Sequence, residues 1–446
     1  MKRPKTLIKI GAVLLIVVAA VLVVRAVLNF TEGRALTRRL AELKAKGVPL
    51  TAGEIASPCP EEENAARLWT AVDSLLTVGG KQDQGFLART WKAYSSGQPL
   101  APEDEPALRD LVVRNEKALE LLMTMGDKPC FLYRDPAQSL FESRLPSAVR
   151  MLQATRLLLF AALFRAEAGD MATAVGEMAS GLRFTPLVAR EGTLMPFLIA
   201  VAQTRTLTSF LGDVCEGRTI ADEDLVRLIG ALDPRPWRGR LAEAIRGERV
   251  FFVEAGGLAA AAGIEGFETF FGDLSIVQKL GLWTIKPLLK RDFRKGLPVY
   301  EELEGLTPRP YYDVRPVLKA ETQRSEKRPW YAYISGILIG NFETAFFKEA
   351  QLEAGIMASR TGLACRLYKS RTGSYPERLD ALVPGILSEV PIDPFTGQPL
   401  VYRRAGEGFI VYSLGSNEKD DGGRSTYWVT QIVMDKDDDL SWKEER

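Results

Sequence analysis

The chain opens with an uninterrupted apolar run and passes into helix-period amphipathic patterns, with strand-like alternation confined to its end. From Ile10 to Val24 no charge appears, and Lys9 and Arg25 flank the run with stems long enough to snorkel. As a helix, Leu7 to Leu28 spans ~30 Å of hydrocarbon. Lys2, Arg3, Lys5 and Lys9 precede it, which predicts a cytoplasmic N-terminus and an extracytoplasmic remainder. Cleavage as a signal peptide near Ala26 is the alternative. Arg25 beside that junction and the lack of a small-x-small pattern weigh against it. Residues 1–30 are therefore expected to be the cytoplasmic end and transmembrane anchor.

TEGRALTRRLAELKAKG, from Thr31, continues as a short amphipathic helix. After the proline- and glutamate-rich IASPCPEEEN, Asn64 is placed to cap a helix over AARLWTAVDSLL. The chain is strongly helical from about Leu145 to Leu258. Within that stretch LLLFAALFRAEAGDMATAVGEMASGLRFTP resembles a tetratricopeptide helix pair. A Gly169-Asp170 turn separates its helices, Ala162 faces Ala174, and Pro186 closes the second. Such repeats normally stack at least three deep, and one copy is present, so a plain helical hairpin inside an irregular helical domain is the favoured reading. Thr219 and Asp222 form a capping-box pattern before Leu225. Glu248 and Glu254 flank Phe251 and Phe252; they read either as carboxylates in an apolar pocket or as a helix edge with Glu248 near Arg246 or Arg249. From Gly266 to Pro329 the prolines predict shorter helices and loops, and TPRPYYDVRP is expected not to be helical. Residues 31–335 are thus read as an irregular α-helical ectodomain.

Residues 336–446 change character. Asn341 is placed to cap a helix running to about Ser370, with Leu352, Ile356, Leu363 and Leu367 on one face. Gly373 stops it, PERLDALV forms a short second helix, and PLVYRR and GFIVYS alternate as a hairpin through Ala405-Gly406-Glu407-Gly408. Asp393-Pro394-Phe395-Thr396-Gly397 has the residues of a turn. The tail DKDDDLSWKEER fails the EF-hand spacing, with Leu440 where glycine is required, and reads as a frayed acidic end.

The ordered residues Gly373, Tyr375, Pro376, Leu379, Asp393, Pro394, Phe395, Gly397, Pro399, Tyr402, Ser413, Gly415 and Gly423 make the stretch from Glu353 to Gly423 resemble the C-terminal half of the type II secretion major pseudopilin. That resemblance implies a small α+β module and a calcium loop, onto which Leu414, Asn417, Asp420 and Asp421 fall as the metal ligands. A solvated acidic turn is the alternative for that loop. The chain departs from the family in lacking its glutamate near the start of the apolar helix, and residues 31–335 separate anchor from module. It is not expected to assemble as an ordinary pilus subunit.

Composition narrows the chemistry. Among 446 residues there is no histidine, which removes Ser-His-Asp and Cys-His pairs and every His-containing zinc site. The net charge of +1, without an arginine-aromatic patch, gives no pull toward nucleic acid. None of the four cysteines has CxxC spacing; Cys59 and Cys130 are the expected disulfide, and Cys365 reads as a core filler. The expected protein is mainly α and not an enzyme. It would be a single-pass inner-membrane scaffold facing the periplasm and contacting other envelope proteins, with a link to type II secretion or pilus-like machinery implied by the resemblance alone. The alternative is a carboxylate-dependent hydrolase acting on polysaccharide or cell-wall glycan, which would need two acids ~5–10 Å apart.

Overall fold

In the computed structural model the described residues are 4–78, 80–261, 268, 273, 275–339, 342–423 and 440–444. The apolar run and the amphipathic stretch behind it form one helix, α1 (Pro4–Ala45). Its span is apolar enough to cross a membrane, with a mean hydropathy of 2.9, and its side chains there are exposed.

A layer of helices follows: α2 (Ala52–Ile55), α3 (Ala65–Leu75), α4 (Lys81–Tyr94), α5 (Glu105–Arg114), α6 (Glu116–Met125), α7 (Ala148–Glu167), α8 (Met171–Val188) and α9 (Leu194–Cys215). Asn64 caps α3 as expected, accepting from the Ala66 N–H at 2.9 Å, and it also pairs with both backbone groups of Leu132. The Cys59–Cys130 disulfide ties the same two segments together. Between α7 and α8 Gly169 takes φ +86°, and Asp170 caps α8 by accepting from Thr173. Pro186 does not close α8, which runs two residues further. Gly181 sits where α8 meets Leu158 of α7 and Leu207 of α9, whose methyl groups would have to shift to admit a Cβ. This makes α9 the centre of the helical layer; it passes a membrane-helix test by composition, but it is buried there as core.

Beyond α9 lie α10 (Asp222–Ala231), α11 (Arg240–Ala261), α12 (Ile276–Leu306), α13 (Tyr311–Glu326), α14 (Tyr333–Leu338) and α15 (Phe342–Thr372). Three expectations are corrected. Helix α10 does start near Thr219, but its cap is Ala221, so the Thr219-Asp222 box does not form. The stretch expected to be irregular contains the 31-residue α12, with Pro287 and Pro298 inside it. An interior proline costs ~3 kcal/mol, and here tertiary contacts offset it. Glu32 of α1 pairs with Arg291 and Arg294, Arg39 pairs with Glu301, and Phe293 packs on Phe252 of α11 at 5.1 Å. TPRPYYDVRP likewise feeds directly into α13, with Pro316 inside that helix.

Helix α15 ends at Thr372, and Gly373 follows with φ +87°. The Asn341 cap lies outside the described residues. Leu352, Ile356, Leu363 and Leu367 are all buried. PERLDALV yields only a 3₁₀ turn, Leu379–Leu382. The hairpin forms as β1 (Val401–Ala405) and β2 (Gly408–Ser413), in antiparallel register with Tyr402 opposite Val411. The tail is corrected too: Leu440–Glu444 is a strand, β3, antiparallel to β2 on its other edge. Trp442 explains it, because its ring is buried against Gly362 of α15, where no Cβ would fit. Asp435, Asp437 and Asp439 lie outside the described residues.

The core runs unbroken from Leu36 through Trp69, Phe210, Tyr300 and Leu363 to Trp442. Helix α15 joins the two parts. It gives Thr208 a close approach at Gly355, donates from Arg366 to the Cys215 carbonyl at 2.9 Å, and carries the sheet on its other side.

Candidate functional site

Where α15 leaves the helical layer it forms the floor of a cavity of about 530 Å³. The 234–239 and 307–312 segments and the 389–394 loop make its walls. The last wall is fixed by the Asp393 turn. Tyr311, Phe347 and Phe395 stack edge-on at 5.5–6.2 Å, and the Tyr312 N–H donates to the Pro394 carbonyl. Asp393 is buried and fully occupied as a turn residue. It accepts from the Phe395 N–H, the Ser413 hydroxyl and the Leu414 N–H, all at 2.8–2.9 Å.

Four acids line this cavity with Arg238 and Arg309: Asp393 and Glu389 on the loop wall, and Glu349 and Glu353 one helical turn apart and so on one face of α15. Among the described residues neither Glu349 nor Glu353 has a salt-bridge partner. Burial lifts Glu349 to about 8, with repulsion from Glu353 adding to the effect. Glu353 is also raised, mainly by burial; Arg238 opposes this and Asp393 reinforces it. On another side of the same helix Lys348 and Arg205 both donate to Gln351 Oε1, at 3.0 and 3.1 Å. Burial lowers Lys348 to about 8 and Arg205 to about 10. A carboxyl lifted to about 8 is largely protonated at neutral pH, so Glu349 holds a proton that a bound cation would displace. The acidic pair was missed in the sequence, where the spacing Glu349-Ala-Gln-Leu-Glu353 inside an apolar helix was the available signal.

The residues singled out from sequence lie elsewhere. Glu248 is half-buried, and desolvation raises its pKa, but it serves as a cap, accepting from the Leu194 N–H at the start of α9. Glu254 likewise accepts from Ala52 and Leu140. Arg246 and Arg249, expected beside Glu248, bind Glu304 instead.

In the 414–423 loop the expected ligands are only partly brought together. Asn417 donates to Asp421 at 2.8 Å, and its oxygen accepts from the Lys419 N–H. Asp420 is engaged by Arg403, by the Tyr412 hydroxyl and by the Gly422 N–H. Hydrogen bonding to Tyr412 and Gly422 holds its pKa low. Leu414 turns its N–H to Asp393. Among the described residues no three acidic or cysteine side chains converge as a metal set. As arranged, the loop does not fit a cation, because a guanidinium already holds its charged ligand. Calcium here is a proposal that requires Arg403 to release Asp420. Millimolar calcium is then expected to stabilise full-length Arg403→Gln protein in detergent by about 1 kcal/mol, more than magnesium does. An identical calcium response after adding Asp420→Asn and Asp421→Asn would reject the loop as a calcium site.

Compared with models of protein families, with curated proteins and with solved structures, the chain matches none.

Proposed function

We propose that this chain is an extracytoplasmic interaction protein, held in the inner membrane by α1, whose ectodomain receives a cationic segment of an envelope partner in the α15 cavity. The observation that carries this reading is the Glu349–Glu353 pair. Two carboxylates sit in a partly dry, aromatic-lined cavity without a salt-bridge partner among the described residues. An arriving lysine or arginine side chain favours the ionised pair and displaces the proton from Glu349, and the rings of Tyr311 and Tyr312 add a face for the cation. A place beside type II secretion or pilus-like machinery is supported only by the likeness of residues 353–423 to a pseudopilin module.

The hydrolase alternative draws on the same two acids. Carboxylates one turn apart on one helix approach a ligand from one side, whereas glycoside hydrolysis needs them on opposite flanks of the scissile bond. Glu389, on the facing wall, is exposed at the rim. The geometry favours recognition.

Photocrosslinking residues placed at Tyr312 and Ile392, both exposed at the rim, test this in living cells. Adducts whose partner peptides carry lysine or arginine beside the crosslink are expected, and Glu349→Gln with Glu353→Gln should remove them. Adducts unchanged in that double variant would reject the cavity as the recognition site.

A further inference from the structure

Helix α12 does not begin at the ectodomain's main body. Its N-terminus is closed by a capping box, with Ser275 Oγ accepting from the Gln278 N–H and Gln278 Oε1 accepting from the Ser275 N–H. Its first turns then expose Ile276 at 85%, Val277 at 80%, Leu280 at 63% and Trp283 at 40%. Four large apolar side chains facing outward within eight residues are costly in water, and such a patch marks a surface that is normally covered.

The register with α1 says what covers it. The two helices run parallel, since contacts advance along both together. Arg25 donates to the Trp283 carbonyl at 2.8 Å and lies 3.5 Å over its indole; Glu32 pairs with Arg291 and Arg294, and Arg39 with Glu301. Arg25 and Trp283 therefore share one level. Ile276 lies seven residues back along α12, roughly 10 Å toward the cytoplasmic end at 1.5 Å per residue. That brings Ile276, Val277 and Leu280 beside the exposed Val18, Val21 and Leu22 of the apolar span. Trp283 and Arg25 fall at the depth where aromatic and snorkelling cationic residues mark a membrane boundary.

We propose that the first two turns of α12 insert into the extracytoplasmic leaflet beside α1, reaching about 10 Å below the level of Arg25 and Trp283. The ectodomain is then held to the membrane at two places, and its orientation is fixed rather than free to swivel on a tether. Lys279, the charge within these turns, is matched by Glu268 at 2.8 Å, and Asp273 lies exposed nearby. The pair enters with these turns, so each charge keeps its counter-ion where water is scarce. The capping box also satisfies N–H groups that lipid could not. This inference rests on α1 crossing the membrane.

Single cysteines at Val277, Leu280, Val17 in α1 and the exposed Val113 of α5 test it. The full chain would be nitroxide-labelled and reconstituted in phosphatidylethanolamine–phosphatidylglycerol vesicles, leaving the buried Cys215 and Cys365 in place. Labels at 277 and 280 are expected to behave like the one at 17, relaxed by oxygen and several-fold less by a water-soluble nickel chelate than the label at 113. If 277 and 280 match 113 while 17 stays shielded, the insertion is overturned and the anchor stands. If 17 also matches 113, both are overturned.

Discussion

Arg134→Ala is expected to destabilise the ectodomain by about 3–5 kcal/mol, the usual cost of stranding a buried charge. Arg134 and Glu191 are both almost wholly inaccessible and face each other at 3.5 Å. Glu191 also accepts from the Tyr133 and Arg134 N–H groups, and Arg134 reaches the Ala52 carbonyl at 3.2 Å. The pair therefore knits together α2, the segment after Cys130 and the turn before α9. Next to it, Gly192 takes φ +79°, and its carbonyl presses on Gly247 of α11 so closely that no Cβ fits. Burial raises the Glu191 pKa in spite of its donors. Once Arg134 is gone, the stranded carboxylate is relieved by taking up a proton, so the loss should be smaller at pH 5 than at pH 8. Urea unfolding of the full chain in mild detergent, followed by circular dichroism, measures this. A loss below about 1 kcal/mol at pH 8, the size expected of a surface pair, would show that the pair does not organise this junction.

What could be read from the chain depended on how local each cause is. The N-terminal apolar helix, the Asn64 cap, the Gly169 and Gly373 stops and the β1–β2 hairpin are decided within a few residues, and all were legible. Helix α12 was not, because Pro287 and Pro298 argue against a helix locally while α1 and α11, distant in sequence, hold it from both sides. Strand β3 was hidden for a similar reason: the acids before it dominate the local reading, and Trp442 gains its burial only against Gly362. At the candidate site, Glu349 and Glu353 look like ordinary helix-surface acids. Only the placement of the Asp393 turn and the 307–312 segment across them makes their charge costly.

That cost is the centre of the account, and the pH dependence of stability reads it directly. A carboxylate whose folded pKa is raised to about 8 stabilises the fold fully below its unfolded value, near 4.5, and loses that contribution as pH climbs through 8. Glutamine keeps the shape without the charge. Full-length wild type and Glu349→Gln should therefore have nearly the same unfolding free energy at pH 4, below that unfolded value. At pH 9 the variant should be more stable by about 2 kcal/mol, a figure discounted for the partial access of water to the cavity. A wild type that equals or exceeds Glu349→Gln at pH 9 would mean that Glu349 already has its cation within the chain, and would contradict the unmet charge on which the proposed recognition depends.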